Sequence, residues 1–126
     1  MNQLLLALAF FSLSNSADMN LSDISKAIGE GNADALGQYF DQSVEVAVPG
    51  AEDVYDKAKA VGVVKDFFTK NKPKTFSQVH QGSSSGSASQ YCIGNLVTAG
   101  GTFRVYIYMK VSGGKQLIQE LRFDKE

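Results

Sequence analysis

Few side chains in this sequence are suited to catalysis or to metal binding. His80 is the only histidine and Cys92 the only cysteine, and no carboxylates cluster at ligand spacing, so the chain alone does not offer a zinc site. His80 is also the only imidazole that a hydrolytic triad could use. The Ser112–Lys115 segment, SGGK, lacks the earlier glycine of a phosphate-binding loop. The sequence therefore predicts no catalytic triad, no metal site and no cofactor.

The composition is typical of one globular domain. A chain of 126 residues is long enough for one core and too short for two. Its formal net charge of -1 provides no basic excess to neutralise phosphates, so we expect no nucleic-acid partner. Because there is a single cysteine, no disulfide can form within the chain, and packing must hold the fold.

An apolar run from Leu4 to Phe11 dominates the start of the chain. It is too short to span a bilayer, it has no polar face, and small polar residues follow it. This pattern is typical of a secretory signal that ends near Ala17. We therefore predict a signal peptide at residues 1–17, a single domain at residues 18–126, and a secreted or periplasmic mature protein without a membrane segment.

Helical spacing is found only before Lys74. Asn20, Asn32 and Asp56 each stand where a helix N-cap is expected, and the third helix, reaching about Thr69, is the longest. The residues predicted to form the apolar stripes of these helices are Ile24, Ala27, Ile28, Leu36, Tyr39, Phe40, Ala60, Val64, Phe67 and Phe68.

Alternating β-branched residues from Val44 to Val48 predict a short strand that ends at a Pro-Gly turn. The segments with strand patterns beyond Lys74 are Thr75–Gln81, Ser89–Thr98, Thr102–Val111 and Lys115–Phe123. Helices followed by an antiparallel meander indicate the α+β class.

The strand from Thr102 to Val111 has two apolar faces. Phe103, Val105, Ile107 and Met109 alternate with Arg104, Tyr106, Tyr108 and Lys110. A three-residue loop at Ser112–Gly114 would pair Met109 with Leu117 and Phe103 with Phe123, whereas a two-residue loop would set Ile107 against Glu120. We therefore predict the longer loop, with the phenylalanine row beneath the helices.

The tyrosine face has no helix left to cover it. Aromatic residues surrounded by charge are typical of an association surface, and a twofold dimer is the commonest arrangement. The alternative is a solvated face on which tyrosines are ordinary strand formers. The predicted dimer interface comprises Arg104, Tyr106, Tyr108, Ile118, Glu120 and Arg122.

The order of elements resembles the nuclear transport factor 2-like fold, a cone-shaped α+β superfamily. More narrowly, the stretches NADALGQYF, VYDKAKA, DFFTKN, FSQVHQG, GTFRVYIYMK and IQELRF are similar to the secreted bacterial family catalogued as domain of unknown function 4783, over roughly Ile24 to Glu126. The resemblance implies three N-terminal helices packed on the concave face of a curved antiparallel sheet. It also implies a pocket between helices and sheet and dimerisation through the outer sheet face, but no activity.

Binding without chemistry is the function that these residues favour, because isolated polar groups in an apolar cone are typical of a small-molecule or peptide-ligand pocket. The predicted pocket residues are Tyr39, Tyr55, Phe67, His80, Ile107 and Gln119.

Two alternatives stay open. Enzymes of the resembled fold imply a cofactor-free isomerase, cyclase or dehydratase, with His80 as base, Tyr39 or Tyr55 as hydrogen-bond donor and Asp41 as second acid. A filled core would instead indicate a purely structural interaction domain.

Overall fold

Three helices and six strands make up the part of the chain that the computed structural model describes, residues 16–83 and 88–126. In chain order they are α1 (Ser16–Glu30), α2 (Ala33–Gly37), β1 (Phe40–Val48), β2 (Ala51–Asp56), α3 (Lys57–Lys70), β3 (Pro73–Ser83), β4 (Ser89–Thr98), β5 (Gly101–Ser112) and β6 (Lys115–Lys125). The predicted signal peptide lies outside the described residues, apart from Ser16 and Ala17, which begin α1. No helix in the described ranges is long and apolar enough to cross a membrane.

The six strands form one sheet in the order β2-β1-β6-β5-β4-β3. The sheet is curved and unclosed, and the helices lie on one side of it, which confirms the predicted α+β class. All neighbouring strands are antiparallel except β1 and β6, which are parallel. The expectation of a wholly antiparallel sheet is wrong there, because the chain passes through β2, α3 and three further strands before β6 returns beside β1.

The core lies between the three helices and the concave face. The Phe67 ring stacks on Phe123 at a centroid distance of 4.3 Å and meets the edge of Phe103 at 5.0 Å. Phe103, Val105, Ile107 and Met109 are all buried, as predicted for the inner row of β5. Burying each such side chain contributes about 1.5–3 kcal/mol, so this face drives much of the folding.

The β5–β6 hairpin differs from the predicted register. Ser112 pairs with Lys115, so the loop has two residues, Gly113 and Gly114, with φ of 57° and 78°. Two glycines with positive φ suit the primed turns that match strand twist. The three-residue loop was therefore a wrong prediction.

A β-bulge at Gln119 restores the apolar pairing. Met109 pairs with Ile118, but Tyr108 pairs with Glu120, so one residue of β6 is extra. Because of this insertion Ile107 opposes Leu121, and Glu120 and Arg122 stay opposite the outer residues Tyr108 and Tyr106. Ile118 points into the core, fully buried, and its predicted place on the outer face is wrong.

The helix starts are partly as predicted. Asn32 accepts a hydrogen bond from the Ala35 amide at 3.0 Å, and Asp56 accepts one from the Lys59 amide at 2.8 Å, so both caps are confirmed. Asn20, in contrast, lies within α1, because that helix begins at Ser16. Phe40, predicted in a helix, is the first residue of β1.

Candidate functional site

The structure does not gather the six predicted pocket residues into one site. Ile107 and Phe67 are buried in the core. Tyr55 lines, together with Phe67, an open groove of about 660 Å³ between α3 and the β1–β2 turn. Tyr39 lines a separate groove of about 240 Å³ beside α1, where its hydroxyl donates to Asp23 Oδ2 at 3.3 Å.

His80 faces away from the helices. It pairs with Ile93, and its ring lies 5.8 Å from that of Tyr91 on the outer face. A register shift between Gln78 and His80 makes Val79 an extra residue of β3, which turns His80 to the opposite side from Gln78. The sequence left the face of His80 open, and the structure turns this candidate pocket residue away from the helices. The described residues do not bring this imidazole to Tyr39 or Tyr55.

Gln119, at the β6 bulge, forms a hydrogen bond with Asp41. Its Nε2 donates to Asp41 Oδ2 at 3.0 Å. This bond, together with the backbone N–H of Gln42, lowers the pKa of Asp41 below the ordinary aspartate value. Asp41 is thus a stabilised carboxylate and is poorly suited to act as an acid.

A polar concavity that the sequence analysis missed lies at the end of the concave face where α1 begins. We call it the glutamine pocket, and its volume is about 210 Å³. Its floor is formed by Met109 and Gln116, which are both buried. The residues that complete its lining are Leu21, Gln81, Gly82, Ser83, Gln90 and Tyr91.

Gln116 is the central side chain of this pocket. Only 4% of its surface is exposed. Its Nε2 donates to Oε1 of Gln90, whereas its own Oε1 is buried and has no hydrogen-bond partner among the described residues. A buried acceptor without a partner costs about 1–3 kcal/mol. A group of this kind is stabilised when a ligand or an ordered water supplies the missing donor.

A second pair of amide side chains, Gln78 and Gln81, reaches the lining of the glutamine pocket at Gln81. The Nε2 of Gln78 donates to Oε1 of Gln81 at 2.7 Å. The oxygens of Gln81 and Gln90 thus already accept hydrogen bonds, so these two side chains chiefly offer N–H donors to a ligand. None of the described lining residues carries a charge.

The sequence analysis missed this pocket because it predicted the wrong turn between β5 and β6. With the predicted three-residue loop, Leu117 would point inward and Gln116 outward. The two-residue Gly113-Gly114 turn reverses this parity, because Val111 pairs with Gln116 and Lys110 with Leu117. The run of two glycines was the signal in the sequence that could have placed Gln116 inside.

The outer face carries a cluster of aromatic residues, which we call the tyrosine patch: Tyr91, Tyr106 and Tyr108. The rings of Tyr91 and Tyr106 stack at 6.5 Å, and Tyr91 pairs across the strands with Tyr108. Partial burial, followed by the nearby Glu120 carboxylate, raises the pKa of Tyr106.

Charges of both signs surround the tyrosine patch. Arg122 lies within 4 Å of the three carboxylates of Glu45, Glu52 and Glu120. On β5, the exposed side chains of Arg104 and Lys110 flank the tyrosines. The structure thus places five of the six predicted interface residues on this face, all except Ile118.

Metal-binding and thiol chemistry find no support in the described ranges. No group of three or more histidine, cysteine, aspartate or glutamate side chains there could hold a metal ion. Burial raises the pKa of the Cys92 thiol to about 11, so the reactive thiolate is scarce at neutral pH.

A curved, unclosed sheet whose concave face is covered by helices defines a nuclear transport factor 2-like α+β protein. An NTF2-like protein of unknown function from Silicibacter pomeroyi has this fold, with a TM-score of 0.62 and 12% identity over 88% of this chain and 93% of that chain. Such low identity shows the fold alone.

The chain belongs to the family of the domain of unknown function DUF4783, whose model matches residues 21–124. It is similar to the solved family member from Bacteroides ovatus, with 34% identity and a TM-score of 0.78 over 82% of this chain and 93% of that one. The member from Bacteroides uniformis is 31% identical, with a TM-score of 0.78 over 83% and 95% of the two chains. No curated protein matches the chain. The family predicted from the sequence is confirmed, and it carries no assigned activity.

Proposed function

We propose that this protein is an exported, non-catalytic domain that binds a small-molecule or peptide-like ligand in the glutamine pocket and forms a homodimer through the tyrosine patch. The observation that carries the binding function is Gln116, a pocket-lining side chain whose buried Oε1 has no hydrogen-bond partner among the described residues. A buried acceptor without a partner destabilises a folded protein, so native structures contain few of them. A donor group of a bound ligand would satisfy this acceptor.

The arrangement of side chains favours binding over catalysis. A general base must come within hydrogen-bond reach of a reacting group, and His80 faces away from the helices and is not among the described residues that line the pocket. The pocket instead combines amide donors, an amide acceptor and an apolar floor, which are the groups that orient a ligand.

The test is native mass spectrometry of the protein purified from its own host. Wild-type protein should retain a compound, and Gln116→Met should not, because methionine keeps the size of the side chain and removes both polar atoms. Gln42→Met is the matched control, since Gln42 is exposed on β1, and it should retain the compound. If wild-type protein retains nothing, and small molecules extracted from the host leave the NMR signals of the Gln116 amide unchanged, the binding function is wrong.

The dimer rests on the composition of the outer face. The tyrosine patch is partly buried within one chain, and aromatic side chains of this kind gain most from exclusion of water. The three carboxylates around Arg122 leave that cluster net negative, so Lys110 of one copy is attracted to the cluster of its partner. A second copy of the same chain therefore matches both the apolar and the charged parts of the face.

Solution mass tests the dimer. Wild-type protein should sediment as a dimer, and Tyr108→Glu should sediment as a monomer, because a charge buried at the centre of the interface has no partner. Val97→Glu is the control, since Val97 is an exposed residue on the same face at the far end of β4. A monomeric wild-type protein, or a dimeric Tyr108→Glu variant, would refute this interface.

Export rests on the apolar run from Leu4 to Phe11. The intact mass of the protein isolated from its host should correspond to a chain that starts after Ala17. A cytoplasmic protein that retains Met1 or Asn2 would contradict export.

A further inference from the structure

We infer that the ligand of the glutamine pocket carries an uncharged amide group, which donates its N–H to Oε1 of Gln116 and accepts hydrogen bonds at its C=O from Gln81 and Gln90. This inference rests on the proposed binding function and names the chemical class that the site recognises. It follows from charge, hydrogen-bond direction, the apolar floor and size, in that order.

Charge excludes ionised groups from the pocket. The described lining residues are glutamine, serine, glycine, tyrosine, leucine and methionine, with no acid or base among them. An ion that lost its water here would find no opposite charge, and the desolvation of an unpaired ion is strongly unfavourable. The ligand group that enters is therefore neutral.

The direction of the existing hydrogen bonds selects an amide. Gln116 Oε1 needs a donor, because it is buried and has no partner among the residues that the structure describes. Gln81 and Gln90 offer donors, since their oxygens already accept from Gln78 and Gln116. A group that matches both needs one donor and one acceptor on neighbouring atoms, and an amide has them in its N–H and C=O.

The apolar part of the lining specifies what is attached to the amide. Met109 is fully buried at the floor and Leu21 is half-buried on α1. Together they can cover a methyl group or a small aliphatic chain on the carbonyl side. An acetamido group, with a methyl next to its C=O, meets both the polar and the apolar requirements.

Size points to one group of a ligand and not to a large compound. The pocket volume is about 210 Å³. Pockets for drug-sized ligands are larger, from about 300 Å³ upwards. The acetamido group can belong to an N-acetylated sugar or to an acetylated or peptide-bonded amino acid, which present the same chemistry.

The experiment is an NMR titration of the full-length domain with small probes, observed at the side-chain amide signals of Gln81, Gln90 and Gln116. The amide probes are N-acetylglucosamine and N-acetylalanine methylamide. Their matched probes without a neutral amide are glucose, glucosamine and alanine. At least one amide probe should bind about tenfold or more tightly than its matched probes, because it joins a neutral donor and acceptor to a methyl group that the apolar floor can cover.

Each outcome decides the inference. Binding of N-acetylglucosamine alone identifies a sugar ligand, and binding of N-acetylalanine methylamide alone a peptide-like one; both support an amide. Gln116→Met should remove the preference, and Gln42→Met should retain it. If glucose, glucosamine or alanine binds as tightly as the amides, or if neither amide probe moves the three amide signals, the amide inference is overturned. The proposed binding function is judged separately by the compound that host-purified protein retains.

Discussion

The most informative perturbation is Gln116→Met, because it should stabilise the ligand-free protein while removing the proposed ligand binding. Gln116 is buried to 4% exposure, and its Oε1 has no partner in the described part of the chain. Methionine fills a similar volume without polar atoms and packs well against Met109. The substitution therefore removes a desolvation cost and leaves no cavity.

The magnitude follows from two opposing effects. Removing an unpartnered buried acceptor stabilises by about 1–3 kcal/mol, whereas losing the bond to Gln90 costs about 0.5–1.5 kcal/mol. Gln90 is only half-buried, so water can replace its lost partner. The net gain is about 1 kcal/mol in the free energy of unfolding, or about 4 °C in Tm for a domain of this size.

Urea denaturation of a double-mutant cycle measures this effect. Gln90→Met should destabilise by about 1–2 kcal/mol, because it leaves the amide of Gln116 without any partner. The double variant should return close to the stability of Gln116→Met, and exposed Gln42→Met should stay within about 0.5 kcal/mol of wild type. If Gln116→Met is as destabilising as Gln90→Met, the Gln116 amide is fully satisfied in the free protein, and the reasoning for the pocket is refuted.

Three further predictions concern the core, the β6 bulge and the thiol. Phe67→Ala should destabilise by about 3–5 kcal/mol, because the ring packs on two other phenylalanines, and urea denaturation would report this loss; a loss below about 1 kcal/mol would show that the ring is not part of a packed core. Gln119→Leu should raise the pKa of Asp41, measured by carboxyl carbon NMR. Folding lowers this pKa, so the variant should be less stable than wild type at neutral pH, and the difference should vanish as the pH falls through the lowered value; a difference that does not change with pH would contradict this. Cys92 should resist iodoacetamide at pH 8 in the native state and react in urea, as its pKa of about 11 and full burial require, and rapid native labelling in intact-mass spectra would refute it.

The residues that the sequence placed correctly depend on local periodicity. The inner row of β5, the apolar stripe of α3 and the caps at Asn32 and Asp56 lie where the patterns predicted them. Each depends on side-chain spacing within one segment, and such spacing is readable without knowledge of any neighbour.

The candidate site was not readable in this way. Ile118 was assigned to the wrong face and Gln116 was missed, because the shorter turn at Gly113 reverses the alternation predicted for the start of β6. The face of His80 was left open by the sequence, and the extra residue at Val79 decides it. The sequence of a strand contains no fixed signal for a bulge. A bulge forms only where packing against the facing strand and the helices stabilises the altered register.

The sequence by itself determined three helices and five of the six strands of the described residues, all but β2. It also determined which row of β5 faces the core, and that the chain is an α+β domain of the family whose model it matches. The tertiary structure alone decided that β6 lies parallel to β1, that His80 faces outward, and that Gln116 meets Gln90 at the floor of a pocket. The physical reason is that periodicity is a property of one segment, whereas strand order, register and the satisfaction of a buried amide depend on residues far apart in the chain.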